Sequence, residues 1–116
     1  MDGFTEARHL DEVREHIEKE TLALVYVYGE TCSVCHAVMP QIKPVIEQFE
    51  SIVPMQIDSE RFPEVSGEWT IFTVPVILLF LNGKEILRKA RFIEKRELDT
   101  QLTKIVYALQ SEEEER

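Results

Sequence analysis

Two uninterrupted apolar runs dictate what this chain can fold into. LALVYVY, from Leu22 to Tyr28, and VPVILLFL, from Val74 to Leu81, have strand length and almost no polar alternation. That is the pattern of strands covered on both faces. Such strands need helices above and below them, so the chain reads as α/β, a central mixed β-sheet flanked by helices.

The periodicity around these runs alternates accordingly. Phe4 to Ala7 reads as a short first strand, and Leu10, Val13 and Ile17 mark one face of a helix ending near Glu20. Val38, Ile42, Val45, Ile46 and Phe49 recur at helical spacing, with Pro40 expected to kink that helix. Ser51 to Ile57 reads as a further strand, and Ser59 to Glu68 as a loop with a short helix that ends at Trp69, itself read as core. Asn82-Gly83 is the preferred pair for a tight hairpin turn, which sends the polar strand Glu85 to Phe92 back antiparallel to the run before it. Leu98, Leu102, Ile105, Val106 and Leu109 define a last amphipathic helix. The 116 residues then make one domain, residues 1–110, with an acidic, frayed tail at 111–116.

Cys32 and Cys35 are the only cysteines, and they stand between the first apolar run and the helix that follows. A C-x-x-C in that position is a redox-site candidate. Residues three apart share a helix face, so the two thiols can meet as a short disulfide. Unpaired N–H groups and the positive end of the helix dipole stabilise a thiolate at a helix start. Cys32 is therefore expected to ionise more readily than Cys35. Two other chemistries use the same residues: a zinc half-site, for which only His9, His16 and His36 could add ligands, and covalent haem attachment, because CSVCH has the C-x-x-C-H form. Otherwise His36 reads as an exposed residue on the helix after the site, whose modest functional alternative is a cation that helps ionise the thiols.

A formal net charge of −9 argues against nucleic acid and against an anionic membrane surface as partners. The opening MDGFTEARHLDEV is charged and has no apolar leader core, and no later stretch reaches the length of a membrane span. A cytoplasmic location is expected, where a lone cysteine pair is a catalytic or metal-binding feature more often than a staple.

The element order, CSVC after a buried strand, Pro40 five residues beyond Cys35, Val74-Pro75 opening the next apolar strand and the FLNGKEI hairpin together resemble the thioredoxin family over nearly the whole chain. The resemblance implies the thioredoxin fold and a thiol-disulfide oxidoreductase with Cys32 and Cys35 as its catalytic couple. It also implies that Pro75 is cis, faces the cysteines and shapes a substrate groove with Thr31, Ser33, Val34 and Val74. Disulfide-containing client proteins are the expected partners, with a reductase or a low-molecular-weight thiol as electron source. No cofactor beyond the Cys32–Cys35 disulfide and no metal is expected. The alternative is a redox sensor or adaptor without turnover.

Several positions depart from the family pattern. Thr31, Ser33 and Val34 replace the usual tryptophan and Gly-Pro around the cysteines. Tyr26 aligns with a buried acid that many relatives carry, and its lysine partner has no counterpart near Pro54. Arg91 aligns near a customary glycine. Another group must then take the proton of Cys35; Glu30 is a candidate, although a glutamate in a surface loop is ordinarily just solvated.

Overall fold

The computed structural model describes residues 4–115. Its elements follow in the order β1 (Thr5–Glu6), α1 (Leu10–Lys19), β2 (Leu22–Tyr28), α2 (Ser33–Glu47), β3 (Ile52–Asp58), α3 (Glu64–Glu68), β4 (Val76–Leu81), β5 (Lys84–Ala90) and α4 (Lys95–Glu115). The five strands form one sheet in the order β1-β3-β2-β4-β5. β3 runs parallel to β1 and β2, whereas β4 is antiparallel to both β2 and β5. The sheet is therefore mixed, as its apolar runs and hairpin signal predict.

The strand pleat explains why LALVYVY has no polar position. Leu22, Leu24 and Tyr26 join Ile42, Val45 and Ile46 of α2 and Leu98 and Leu102 of α4 in one core. Ala23, Val25 and Val27 point the other way, into a second core with Val13 and Ile17 of α1 and Val65 of α3. β4 divides in the same fashion, Ile77 and Leu79 to the first core, Val76, Leu78 and Phe80 to the second. Full burial of each large aliphatic side chain contributes roughly 1.5–3 kcal/mol, so a polar residue on either face of these strands would be costly. Trp69 is half-buried against the second core. The polar strand β5 forms an edge, and its lysines and Arg88 discourage further strand pairing there.

Two local features concern proline and turn chemistry. α2 continues through Pro40, expected to kink it, and through Pro44, and ends only at Glu47. The Asn82-Gly83 turn has φ of 50° and 84° at its two central residues, the left-handed pair that a two-residue hairpin requires. α4 is longer than expected. It runs to Glu115, so the stretch expected as a frayed tail from 111 extends the helix, and Arg116 lies outside the described residues.

Register brings the functional elements to one end of the sheet. Val27 near the end of β2 pairs with Val76 at the start of β4, and Tyr28 pairs with Asp58 at the end of β3. The segments just beyond these residues, 29–32, 59–61 and 73–75, therefore lie side by side.

Candidate functional site

The loop from β2 to α2 is held by a neighbouring loop rather than by itself. Asp58, buried at the end of β3, accepts from Glu30 N at 3.2 Å and from Glu60 N at 2.9 Å through the same oxygen. The Glu60 carboxylate in turn accepts from Thr31 N at 3.0 Å and from the Thr31 hydroxyl at 2.9 Å. Gly29 makes room for this clamp, because a Cβ there would collide with the Glu60 carboxylate. The clamp ends in a turn, Cys32 N donating to Gly29 O at 3.0 Å.

Cys32 is the residue that caps α2. Its sulfur accepts the Cys35 N–H at 3.2 Å, so one of the unpaired amides of the first turn points at Sγ. The two sulfurs form a disulfide, with the Cα atoms 5.3 Å apart. Cys32 is half-buried, and Cys35 is only 1% exposed. Negative charge on Cys32 is thus met by an amide and by the dipole of a fifteen-residue helix, whereas burial opposes charge on Cys35. Among the neighbouring residues, Thr31 and Ser33 are exposed and Val34 is half-buried.

Beneath the pair, the buried Tyr26 reaches from β2 to donate its hydroxyl to Cys35 O at 2.8 Å. Burial pushes its phenol well above the ordinary tyrosine value. Tyr26 is therefore a neutral donor beneath the cysteine pair. Its partner across the sheet is Gln56. His36 is exposed, and its Nε2 lies 2.6 Å from Glu30 O, a geometry in which the ring N–H donates to the carbonyl. Tyr26, Glu30, Cys35 and His36 all border one cavity of about 240 Å³. Among the described residues, no three His, Cys, Asp or Glu groups converge as metal ligands.

On the far side of the sheet end, the Val74–Pro75 peptide is cis and Pro75 is buried. Arg91 N donates to Pro75 O at 2.7 Å, and the Arg91 guanidinium donates to Val74 O at 3.0 Å. Arg91 does so with φ of 67°, a left-handed conformation that glycine adopts without strain and arginine does not. Phe72 and Phe92, flanking these segments in sequence, are 93% and 85% exposed.

Sequence reasoning found the cysteines and their three companions around the cavity but missed Asp58, Glu60 and Gln56. Gln56 did carry a signal, an amide within the run IVPMQI that is otherwise apolar. Asp58 and Glu60 had none, because acidic residues at or just beyond a strand end read as ordinary surface residues until the fold shows which amides they meet.

The sequence profile of the thioredoxin family matches residues 5–105. Thioredoxin-like protein YdfQ of Bacillus subtilis (strain 168) is 38% identical over 105 residues, which cover 90% of this chain and 94% of that protein. Among solved structures, a mutant thioredoxin from Halobacterium salinarum NRC-1 superposes with a TM-score of 0.76 at 17% identity, covering 86% of this chain and 88% of that one. Oxidised mitochondrial thioredoxin 3 of Saccharomyces cerevisiae gives 0.75 at 18% identity, covering 87% and 94%.

Proposed function

Because the chain belongs to the thioredoxin family, we propose that it is a thiol-disulfide oxidoreductase that reduces disulfides in protein clients through Cys32 and Cys35. The observation that carries this reading is the unequal setting of the two sulfurs, Cys32 half-buried at the helix cap with an amide pointing at it and Cys35 buried one turn further in. The Cys32 thiolate attacks a client disulfide and forms a mixed disulfide. Cys35 then attacks Cys32, and the reduced client leaves. The second step is fast because the two residues are held close on one helix turn.

The client segment is placed between the start of α2, with Thr31, Ser33 and Val34, and the Val74–Pro75 segment, with Phe72 and Phe92 as apolar rims. Electrons return from a reductase or a low-molecular-weight thiol, and the cytoplasm is the compartment that supplies them. No described helix is long and apolar enough to cross a membrane.

A Cys35→Ser variant tests the assignment, because it completes the first step and cannot perform the second. It should hold clients from a lysate as mixed disulfides that a small thiol releases, while Cys32→Ser should hold none. Equal capture by both variants would reverse the roles. Catalytic turnover of an insulin disulfide by the unmodified protein separates an oxidoreductase from a sensor, which would reduce at most one disulfide per molecule.

A further inference from the structure

Cys35 must lose a proton to attack Cys32, and its surroundings restrict where that proton can go. Tyr26 does not take it, since its hydroxyl is already donated to Cys35 O and burial keeps the phenol protonated. Cys35 does, however, border the cavity of about 240 Å³ shared with Tyr28, Glu30, His36 and Gln56. At roughly 30 Å³ of liquid volume per molecule, that space admits several waters.

Gln56 supplies the independent sign that something polar belongs there. It is 8% exposed, and its Nε2 donates to Glu6 Oε1 at 2.6 Å. An ionised carboxylate only accepts, so this bond fixes the amide orientation. The other end, Oε1, is buried with no donor among the described residues. Buried amide oxygens in folded proteins have partners, and the adjoining cavity is where a donor can stand.

Glu30 occupies the outlet. It borders both this cavity and an open basin of about 740 Å³ on the surface. Although it lies in a loop, its backbone is fixed from two sides, N by Asp58 and O by His36. The groups facing it are His36 on α2, Tyr28 on β2, Asp58 at the end of β3, and Glu6, Arg8 and Arg61 around the basin.

We propose that water held against Gln56 Oε1 carries the Cys35 proton through this cavity to the Glu30 carboxylate, with Gln56 as the positioning residue of the relay. This rests on the oxidoreductase reading above. As the Cys35–Cys32 sulfur bond forms, the bond from Cys32 to the client sulfur breaks and its electron pair leaves with the client thiolate. The proton of Cys35 passes to water and then to Glu30, which returns it to solvent on the basin side. The client disulfide is the only oxidant required.

Dithiobis(nitrobenzoate) separates the two steps, because the reduced protein releases one coloured thiol when Cys32 attacks and a second when Cys35 resolves the mixed disulfide. Glu30→Gln should lower the ratio of second-phase to first-phase rate about a hundredfold or more, the usual range for general acid–base catalysis, and Gln56→Met should lower it in the same direction. Glu30→Asp should recover part of the loss. The second phase should depend more steeply on pH in Glu30→Gln than in the unmodified protein, because Cys35 is then left to ionise unaided. A second phase unchanged in Glu30→Gln, or slowed without any change in its pH profile, overturns the relay. Should Gln56→Met fail to fold, the Glu30 pair still decides the matter. Absence of any first-phase release would instead sink the oxidoreductase reading itself.

Discussion

The hydroxyl of Tyr26 donates a 2.8 Å hydrogen bond to the carbonyl oxygen of Cys35. A strand residue thereby fixes the first turn of the helix that carries the cysteines, in a core where both partners are buried. Tyr26→Phe keeps the ring and removes the bond, with an expected loss of about 1 kcal/mol. Denaturant unfolding should show a lower midpoint at unchanged slope. An unaltered midpoint would mean that the bond contributes nothing net.

Alkaline titration should reveal the same tyrosine a second way. Burial raises the phenols of Tyr26 and Tyr28, and the hydrogen bond to Glu6 adds to the shift of Tyr28. Folding therefore favours their protonated forms, a contribution complete below the ordinary value of about 10 and lost as pH rises through the folded values. Ultraviolet absorbance should show at least two of the three tyrosines staying protonated above that pH until the protein unfolds. Smooth ionisation of all three in the folded protein would contradict this.

The acid limb depends on different groups. The Arg14 guanidinium holds Glu68 below its usual range, Arg88 does the same to Glu85, and backbone amides of Arg96 and Glu97 lower Glu94. Stability from these carboxylates is present above their ordinary value near 4.5 and is lost as pH falls through the lowered folded values. Arg14→Met and Arg88→Met should each flatten the fall of Tm between about pH 5 and 3. Since both pairs are largely exposed, added salt should flatten it as well. Arg88→Met should also lower Tm at neutral pH, because Arg88 additionally holds the carbonyls of Trp69 and Thr70.

Arg91→Gly exchanges a strained residue for one that accepts φ of 67° freely. It also releases Val74 O from the guanidinium. Tm should stay level or rise, with a gain up to about 1 kcal/mol, and KM for a protein disulfide should change while dithiobis(nitrobenzoate) kinetics do not. Equal effects on both substrates would place the action of Arg91 on the cysteines instead of the client surface.

The Cys32–Cys35 couple should be less reducing than thioredoxin, with a potential above roughly −270 mV. The amide pointing at Cys32 Sγ favours the thiolate and hence the reduced form, and no proline between the cysteines stiffens the loop. Equilibration with glutathione buffers measures this directly. A value at or below that of thioredoxin would show that Ser33 and Val34 have no such effect.

Strand positions were readable because burial on two faces leaves an unmistakable mark in LALVYVY and VILLFL, and the hairpin because Asn82-Gly83 is chosen by backbone conformation alone. The cysteines were readable because their chemistry is tied to their spacing. The length of α4 was not, since an acidic run such as Ser111 to Glu115 carries no apolar stripe to announce a helix. Nor was the clamp on the loop before Cys32. Asp58 and Glu60 act there through backbone amides, which every residue possesses, so their sequence gives no hint of which ones they meet. Gln56 fell between these cases, its amide visible but its Glu6 partner fifty residues away.

β2 has a paired strand on each edge and a packed core on each face. Its amides should exchange with solvent only when the whole domain opens, whereas β5, with one free edge and mostly exposed side chains, should open separately. Cys32 thus stands on the short loop that follows the strand expected to exchange slowest. Arg91 and Phe92 follow one of the strands expected to exchange fastest, so the surface proposed to meet a client can yield while Cys32 stays in place.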